Sequence, residues 1–124
     1  MSITVEPTVY GTPLWDAVVA RTIDLPSRNM SNSNASAVFA VLGIDLSLDG
    51  WCGGEDATEF LGRVLVALAI NPSDAGVPLT VVANERGATQ VFCGRHAGYV
   101  DEALRDLVEI AEWCRAHNVE VQWA

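Results

Sequence analysis

Apolar positions repeat at helical spacing in three stretches of the chain. The first stretch follows a polar run of turn-forming residues, 25–34, in which Ser31, Ser33 or Asn34 can cap a helix. The second begins at Glu55 or Asp56, ends at Asn71-Pro72, and has the broadest apolar face, so it predicts the most buried element. The apolar residues that define the three helices are Ala35, Val38, Phe39 and Leu42; Ala57, Phe60, Leu61, Val64, Leu65 and Leu68; and Val100, Leu104, Leu107, Val108, Ala111 and Cys114.

Strand patterns lie on both sides of the third helix. Residues 79–83 and 89–93 are rich in β-formers and flank a polar turn, which predicts a hairpin. Residues 119–123 alternate apolar and polar positions and predict a strand that closes the sheet. The sequence therefore predicts a single small α+β domain over residues 30–124, with about three helices packed on a small, mainly antiparallel sheet.

The first 29 residues are harder to interpret. Residues 3–9 alternate like a strand, but Pro7 would confine that strand to an edge or to an irregular extension. Residues 14–20 are apolar and fit either a short helix or a strand. We expect residues 1–29 to be an N-terminal extension or arm.

Composition and charge exclude several classes of function. The 124 residues are 50% hydrophobic, and the formal net charge is −9 at pH 7, which disfavours direct binding to nucleic acid or anionic lipid. All seven basic residues are Arg, so Schiff-base chemistry and a lysine phosphate loop are excluded. The longest apolar run, residues 64–70, is far shorter than the ~20 residues that span a bilayer. We expect no membrane contact and, because the first residues lack a signal-peptide pattern, a cytoplasmic location.

The cysteines and histidines do not predict a metal or catalytic centre. Cys93-x-x-His96 and Cys114-x-x-His117 resemble zinc-ligand pairs, but they flank one predicted helix and lie roughly 25 Å apart. Cys52 could meet His96 or His117 in space, yet the sequence contains none of the common catalytic motifs. The sequence favours a protein that is not an enzyme and that has no cofactor.

The loop between the first two helices offers a calcium hypothesis. Asp45, Ser47, Asp49 and Asp56 occupy positions 1, 3, 5 and 12 of a helix-loop-helix calcium loop, with a glycine at the turn. Position 12 is Asp where a bidentate Glu is usual, and no second loop accompanies it. The alternative is a helix connector whose acidic residues cap the following helix.

The turn before the third helix is the strongest candidate ligand site. Backbone N–H groups at a helix N-terminus, a guanidinium and an imidazole together favour an anion such as a phosphate. An aromatic ring nearby could stack on a nucleotide base. The candidate ligand-binding residues are Gly94, Arg95, His96, Gly98, Tyr99 and Trp51.

Short motifs give the chain a resemblance to a group of small phage proteins that have no assigned activity. The motifs are Ser31-Asn32-Ser33-Asn34-Ala35 with Leu42-Gly43, Cys52-Gly53, Gly94-Arg95-x-x-Gly98-Tyr99, and the terminal Val121-Gln122-Trp123-Ala124. The resemblance covers residues 31–124 and implies a phage-encoded protein that binds a component of the host.

Two functional hypotheses follow. The first is a binding protein that holds a small anionic ligand, such as a nucleotide, at residues 94–99. The second is an acidic protein-interaction module that inhibits a host protein or mimics nucleic acid charge. In either case we expect a homo-oligomer. The chain has more apolar surface than so small a domain readily buries, and Trp15, Trp51 and Trp123 are candidates for exposure.

Overall fold

The computed structural model describes residues 1–48, 50–70, 80–83, 89–92 and 98–124. Within these residues the chain forms four helices and six strands. In chain order they are β1 (Ser2–Pro7), α1 (Leu14–Val19), β2 (Arg28–Ser31), α2 (Asn32–Val41), β3 (Gly53–Glu55), α3 (Ala57–Ile70), β4 (Thr80–Ala83), β5 (Thr89–Phe92), α4 (Tyr99–Ala116) and β6 (Val121–Trp123).

Four strands form one antiparallel sheet in the order β2-β1-β6-β3. Strands β4 and β5 pair with each other as a separate antiparallel hairpin. The predicted α+β fold, with helices on a small antiparallel sheet, is confirmed. No helix in the described residues has the length and apolar character needed to cross a bilayer.

One face of the sheet carries the hydrophobic core. Along β1, the side chains of Ile3 and Val5 are buried while those between them are partly exposed, which is the alternation of a half-buried strand. Helices α2, α3 and α4 cover this face. The largest core side chains from the helices are Phe39, Phe60, Leu104, Leu107 and Ile110.

The predicted starts of α2 and α3 are confirmed by their caps. The Ser31 hydroxyl accepts a hydrogen bond from the Asn34 amide at 3.3 Å. The Asp56 carboxylate accepts from the amides of Thr58 and Glu59 at 3.0 and 3.1 Å. Both caps satisfy N–H groups that a helix leaves unpaired at its start, and Asp56 also places negative charge there.

The N-terminal residues differ most from expectation. Residues 1–29, expected to form an arm, supply β1, which lies between β2 and β6 inside the sheet. Pro7 does not force β1 to an edge, because it is the last residue of the strand. Residues Leu14–Val19, which fitted either a helix or a strand, form the short helix α1.

Three further expectations are corrected. The polar connector 25–34 contains the edge strand β2, and the loop 45–56 contains the opposite edge strand, β3. Trp123, expected at the surface, is only 5% exposed. Its position on β6 directs the indole into the core, where it stacks on Phe60 and contacts the tilted ring of Phe39, at centroid distances of 5.8 and 5.1 Å.

Candidate functional site

A groove runs along β3 at the free edge of the sheet. Its volume is about 610 Å³, and its walls come from β3, from the loop that follows α2, and from Arg63 of α3. The main side chains and backbone segments that line it are Ile44, Asp45, Leu48, Gly54, Arg63 and Trp123. The groove therefore joins an edge strand to a helix wall.

The hydrogen-bonding register shows which backbone groups of β3 face the groove. Thr4 and Ala124 exchange both backbone hydrogen bonds, at 2.9 and 3.2 Å. Because bonded pairs alternate along antiparallel strands, Gln122 also bonds to β1, and Trp123 bonds to Gly53 on β3. The N–H and C=O of Gly54 then point away from the sheet. Among the described residues they have no backbone partner.

Gly53 is required by the packing of the Trp123 indole. The two residues are opposite each other on β3 and β6. A Cβ at position 53 would lie 2.9 Å from Cζ2 and 3.0 Å from Nε1 of Trp123. The indole therefore lies against the glycine, and its Nε1 is buried with no hydrogen-bond partner among the described residues.

An ion pair holds the helix wall of the groove in place. Nε of Arg63 donates to both carboxylate oxygens of Glu55, at 2.8 and 2.9 Å. Nη1 of the same guanidinium donates to the Leu42 carbonyl at 3.2 Å. Arg63 thus connects β3, α3 and the end of α2, and Glu55 neutralises its charge.

The loop on the other side of the groove presents a carboxylate and two apolar side chains. Asp45 accepts hydrogen bonds from the hydroxyl and amide of Ser47, at 2.6 and 3.0 Å, and these bonds lower its pKa. Leu48 is 82% exposed. Trp51 has a φ of +65°, a conformation that non-glycine residues rarely adopt. Its side chain is 36% exposed, and the next residue, Cys52, lines the groove.

The same loop does not assemble a cation site from the described residues. Asp45 is engaged in its turn with Ser47, and Asp56 caps α3. No group of three or more metal-ligating side chains occurs in the part of the chain that the structure describes. Asp49 lies outside the described residues, so the calcium hypothesis stays a prediction.

The residues predicted to hold an anion are only partly described. Gly94, Arg95 and His96 lie outside the described residues. Gly98 precedes α4 with a φ of +82°, and Tyr99 is the first helical residue. The first turn of α4 also carries Asp101 and Glu102, whose charges oppose an anion there. The anion site stays a prediction.

Tyr99 and Trp51 are at opposite edges of the sheet. The Tyr99 ring lies under the guanidinium of Arg28, 5.1 Å from the ring centroid, and Arg28 belongs to the edge strand β2. Trp51 immediately precedes the groove at the other edge, β3. Three strand spacings separate these edges, roughly 14 Å. The two rings therefore do not form one stacking site.

Arg28 is clamped onto α4. Its Nη1 lies 2.7 Å from the Asp106 carboxylate and 3.6 Å from that of Glu102. Burial lowers the pKa of Arg28, but hydrogen bonds to Tyr99 and Asp106 outweigh burial and raise the pKa above its usual value. The Arg28 guanidinium is therefore a structural contact of this edge.

Among the described residues, neither thiol, Cys52 or Cys114, forms a hydrogen bond with His117. Cys114 is buried in the core, and burial raises its pKa to about 12, so it is a protonated thiol at neutral pH. His117 stacks on Trp113 at 3.8 Å and donates through Nδ1 to the Trp113 carbonyl at 2.8 Å. Cys52 is exposed at the groove.

The groove residues Gly53, Gly54, Arg63 and Leu48 were not predicted as a site. The sequence feature that could have indicated the groove is the pair of glycines before the acidic cap of α3. Such a pair predicts a turn unless its pairing with β6 is known. Comparisons of the chain with family models, with curated proteins and with solved structures found no match. Function is therefore inferred from the chemistry of this chain alone.

Proposed function

We propose that this protein is a protein-interaction module that binds an extended segment of a partner protein by strand addition at β3. The observation that carries the proposal is the outward-facing N–H and C=O of Gly54, which stand at the rim of a groove and have no backbone partner among the described residues. An extended peptide that lies beside an edge strand satisfies such groups and gains side-chain contacts from the adjacent groove.

The two glycines favour this mode of binding. Gly53 and Gly54 are both exposed, and neither carries a long side chain that would crowd an incoming backbone; a methyl group at position 54 would meet the Val121 carbonyl of β6 and not the partner. The bonds to β6 and the ion pair between Arg63 and Glu55 hold the strand in an extended form before a partner arrives. A rigid edge reduces the entropy that binding must overcome.

Charge indicates a basic partner segment. Glu55 neutralises Arg63, whereas Asp45 has no cationic partner among the described residues. The chain also carries a net charge of −9, which attracts a basic segment and speeds its association. Lys or Arg side chains of the partner would face Asp45.

Leu48 and Trp51 are suited to anchor the partner. Leu48 lines the groove and is exposed, and Trp51, which directly precedes the groove residue Cys52, has a strained backbone conformation. Aromatic side chains at the centre of interfaces supply much of the binding free energy. Strained backbone conformations occur most often at functional sites, so the strain at Trp51 supports a binding role for this residue.

The test is a selection of peptides from a library of unstructured 12-residue sequences, with the full chain as bait. We expect the enriched peptides to be basic and extended. Gly54→Pro removes the outward N–H and should weaken the best peptide by about tenfold, or 1.4 kcal/mol. Gly54→Ala is the matched control, because it adds a Cβ but keeps the N–H, and it should bind within about threefold of the wild type.

Two further measurements decide the outcome. The Gly54 amide should exchange with solvent more slowly when the peptide is bound, and Asp45→Asn should reduce both the affinity and its dependence on salt. A library with no enriched sequence, or a peptide that binds Gly54→Pro as tightly as the wild type, would contradict strand addition at β3.

A further inference from the structure

We propose that a second cavity, at the N-terminal end of the chain, binds a compact organic cation of the alkylated ammonium class. The cavity has a volume of about 230 Å³ and lies where β1 leaves the sheet. It is lined by Glu6, Val9, Tyr10, Trp15, Leu25 and Gln122, with Pro7 at its edge. None of these residues lines the β3 groove.

Two aromatic rings form a corner of this cavity. The centroids of Tyr10 and Trp15 are 5.1 Å apart, and the ring planes meet at 75°. The rings contact each other edge to face, so a cation would lie beside the pair, against a ring face that this contact leaves open. Ring faces attract ammonium groups through the negative charge of the π system, most strongly for Trp.

A turn fixes the position of the two rings. The hydroxyl and amide of Thr12 donate to the Val9 carbonyl at 2.6 and 3.0 Å, and the Trp15 amide donates to the Thr12 carbonyl at 3.0 Å. Trp15 therefore has a defined backbone position although α1 buries none of its residues in the core. The ring pair is held in place without being part of the core.

Glu6 supplies the negative charge that a cation site needs. Its side chain projects from β1 on the face opposite the core, next to Gln122 on β6. Gln122 Nε2 donates to Glu6 Oε1 at 3.3 Å, and Oε2 has no partner among the described residues. The carboxylate is thus oriented by one bond and retains one oxygen for a ligand.

The exposure of the rings is better explained by binding than by folding. Tyr10 is 78% exposed and Trp15 is 38% exposed, so each leaves apolar ring surface in contact with water. The cavity beside them is too small for a nucleotide but has room for a head group with several methyl substituents. The net charge of −9 favours such a ligand over an anion.

The experiment is a titration of the full chain with choline and with 3,3-dimethylbutan-1-ol, the neutral carbon analogue of choline. We expect choline to bind at least tenfold more tightly, with chemical-shift changes at the Trp15 indole. Trp15→Leu and Tyr10→Leu should each weaken choline at least tenfold, and Glu6→Gln should weaken it severalfold. Trp51→Leu removes an indole of similar exposure elsewhere and should leave choline binding unchanged.

A peptide containing trimethyllysine separates the two sources of the same head group. If it binds more tightly than choline, the cavity recognises a modified side chain; if it binds equally or more weakly, the cavity takes a free small molecule. Both outcomes support an ammonium site. Equal binding of the neutral analogue, no binding of any cation, or unchanged affinity in folded Trp15→Leu and Tyr10→Leu would overturn it. Thermal unfolding of each variant shows that it is folded.

Discussion

The two edges of the four-stranded sheet are built in opposite ways. At β2, Arg28 lies over the Tyr99 ring and reaches the carboxylate of Asp106 at 2.7 Å, so charge and an aromatic contact tie that edge, here called the closed edge, to α4. At β3, two glycines present a bare backbone to a groove. The same sheet thus has one edge held by its own helix and one edge left accessible.

This difference has a physical reason. An unpaired edge strand can pair with any other chain, and natural proteins protect such edges with charged side chains, bulges or a covering element. At β2 the protection comes from the charged side chain of Arg28 and its contact with α4, because the backbone groups of Asn29 also point away from the sheet and have no partner among the described residues. The β3 edge carries one charged side chain, Glu55, which is paired with Arg63, and it is only three residues long; both features limit indiscriminate pairing and suit selective addition of one strand.

The largest effect should come from adding a methyl group at the open edge. In Gly53→Ala the new Cβ would lie 2.9 Å from the Trp123 ring, so the indole must move out of its place between Phe39 and Phe60. We expect the free energy of unfolding to fall by about 1–3 kcal/mol. Urea denaturation measures this, with Gly54→Ala expected to lose less. Full stability of Gly53→Ala would show that the indole does not lie against the glycine.

The two edges are also what the sequence could not predict. Helical periodicity and caps located α2, α3 and α4, and alternation located β6, because each of these elements carries its own apolar pattern. The strands β2 and β3 consist of Arg-Asn-Met-Ser and Gly-Gly-Glu, which have no strand propensity. Their conformation comes from pairing with β1 and β6, which are distant in sequence.

The candidate site could not be predicted from the sequence for the same reason. A groove formed by β3 and Arg63 depends on the pairing of residues 53–55 with 121–123, and no local pattern reports that pairing. The burial of Trp123 was missed for the same reason, since its indole fills a space that exists only because position 53 is glycine. Residues that are adjacent in sequence, as at 94–99, are easier to propose as a site than residues that the sheet brings together.

The second effect concerns Cys114, which is buried in the core near the end of α4. Burial raises the pKa of Cys114 from 9.0 to about 12, so the folded state keeps a proton that the unfolded chain loses. Stability contributed by this group is therefore present below pH 9 and decreases between about pH 9 and 12, by at most about 1.4 kcal/mol per pH unit. Urea denaturation at pH 8 and 10.5 tests this against Cys114→Ala.

The comparison with Cys114→Ala isolates the thiol from other groups that titrate in this range. If the free energy of unfolding falls with pH equally in both proteins, Cys114 contributes nothing to the pH dependence of stability. Alkylation in a Cys93→Ser background gives a second measurement: the exposed Cys52 should react with the folded protein, whereas Cys114 should react only on unfolding.

The third effect should appear at the closed edge. Asp106→Asn leaves the partly buried guanidinium of Arg28 with weaker partners, and we expect a loss of about 1 kcal/mol. Arg28→Met should cost less, because it removes the partner of the exposed Asp106 carboxylate and retains an apolar side chain over Tyr99. Thermal denaturation of both variants tests the order. A larger loss for Arg28→Met would show that the guanidinium itself stabilises this edge.

The smallest effect should have the opposite sign and leave the open edge unchanged. Gly62 lies inside α3, and a Cβ there would meet no atom within 4 Å, so Gly62→Ala should stabilise the fold by about 0.5–1 kcal/mol through helix propensity. Gly62 directly precedes Arg63, but a methyl group at position 62 would make no contact with the groove wall. The selected peptide should therefore bind this variant as tightly as the wild type. Weaker binding would mean that the partner extends beyond the groove onto the outer face of α3, where Leu65 and Val66 are exposed.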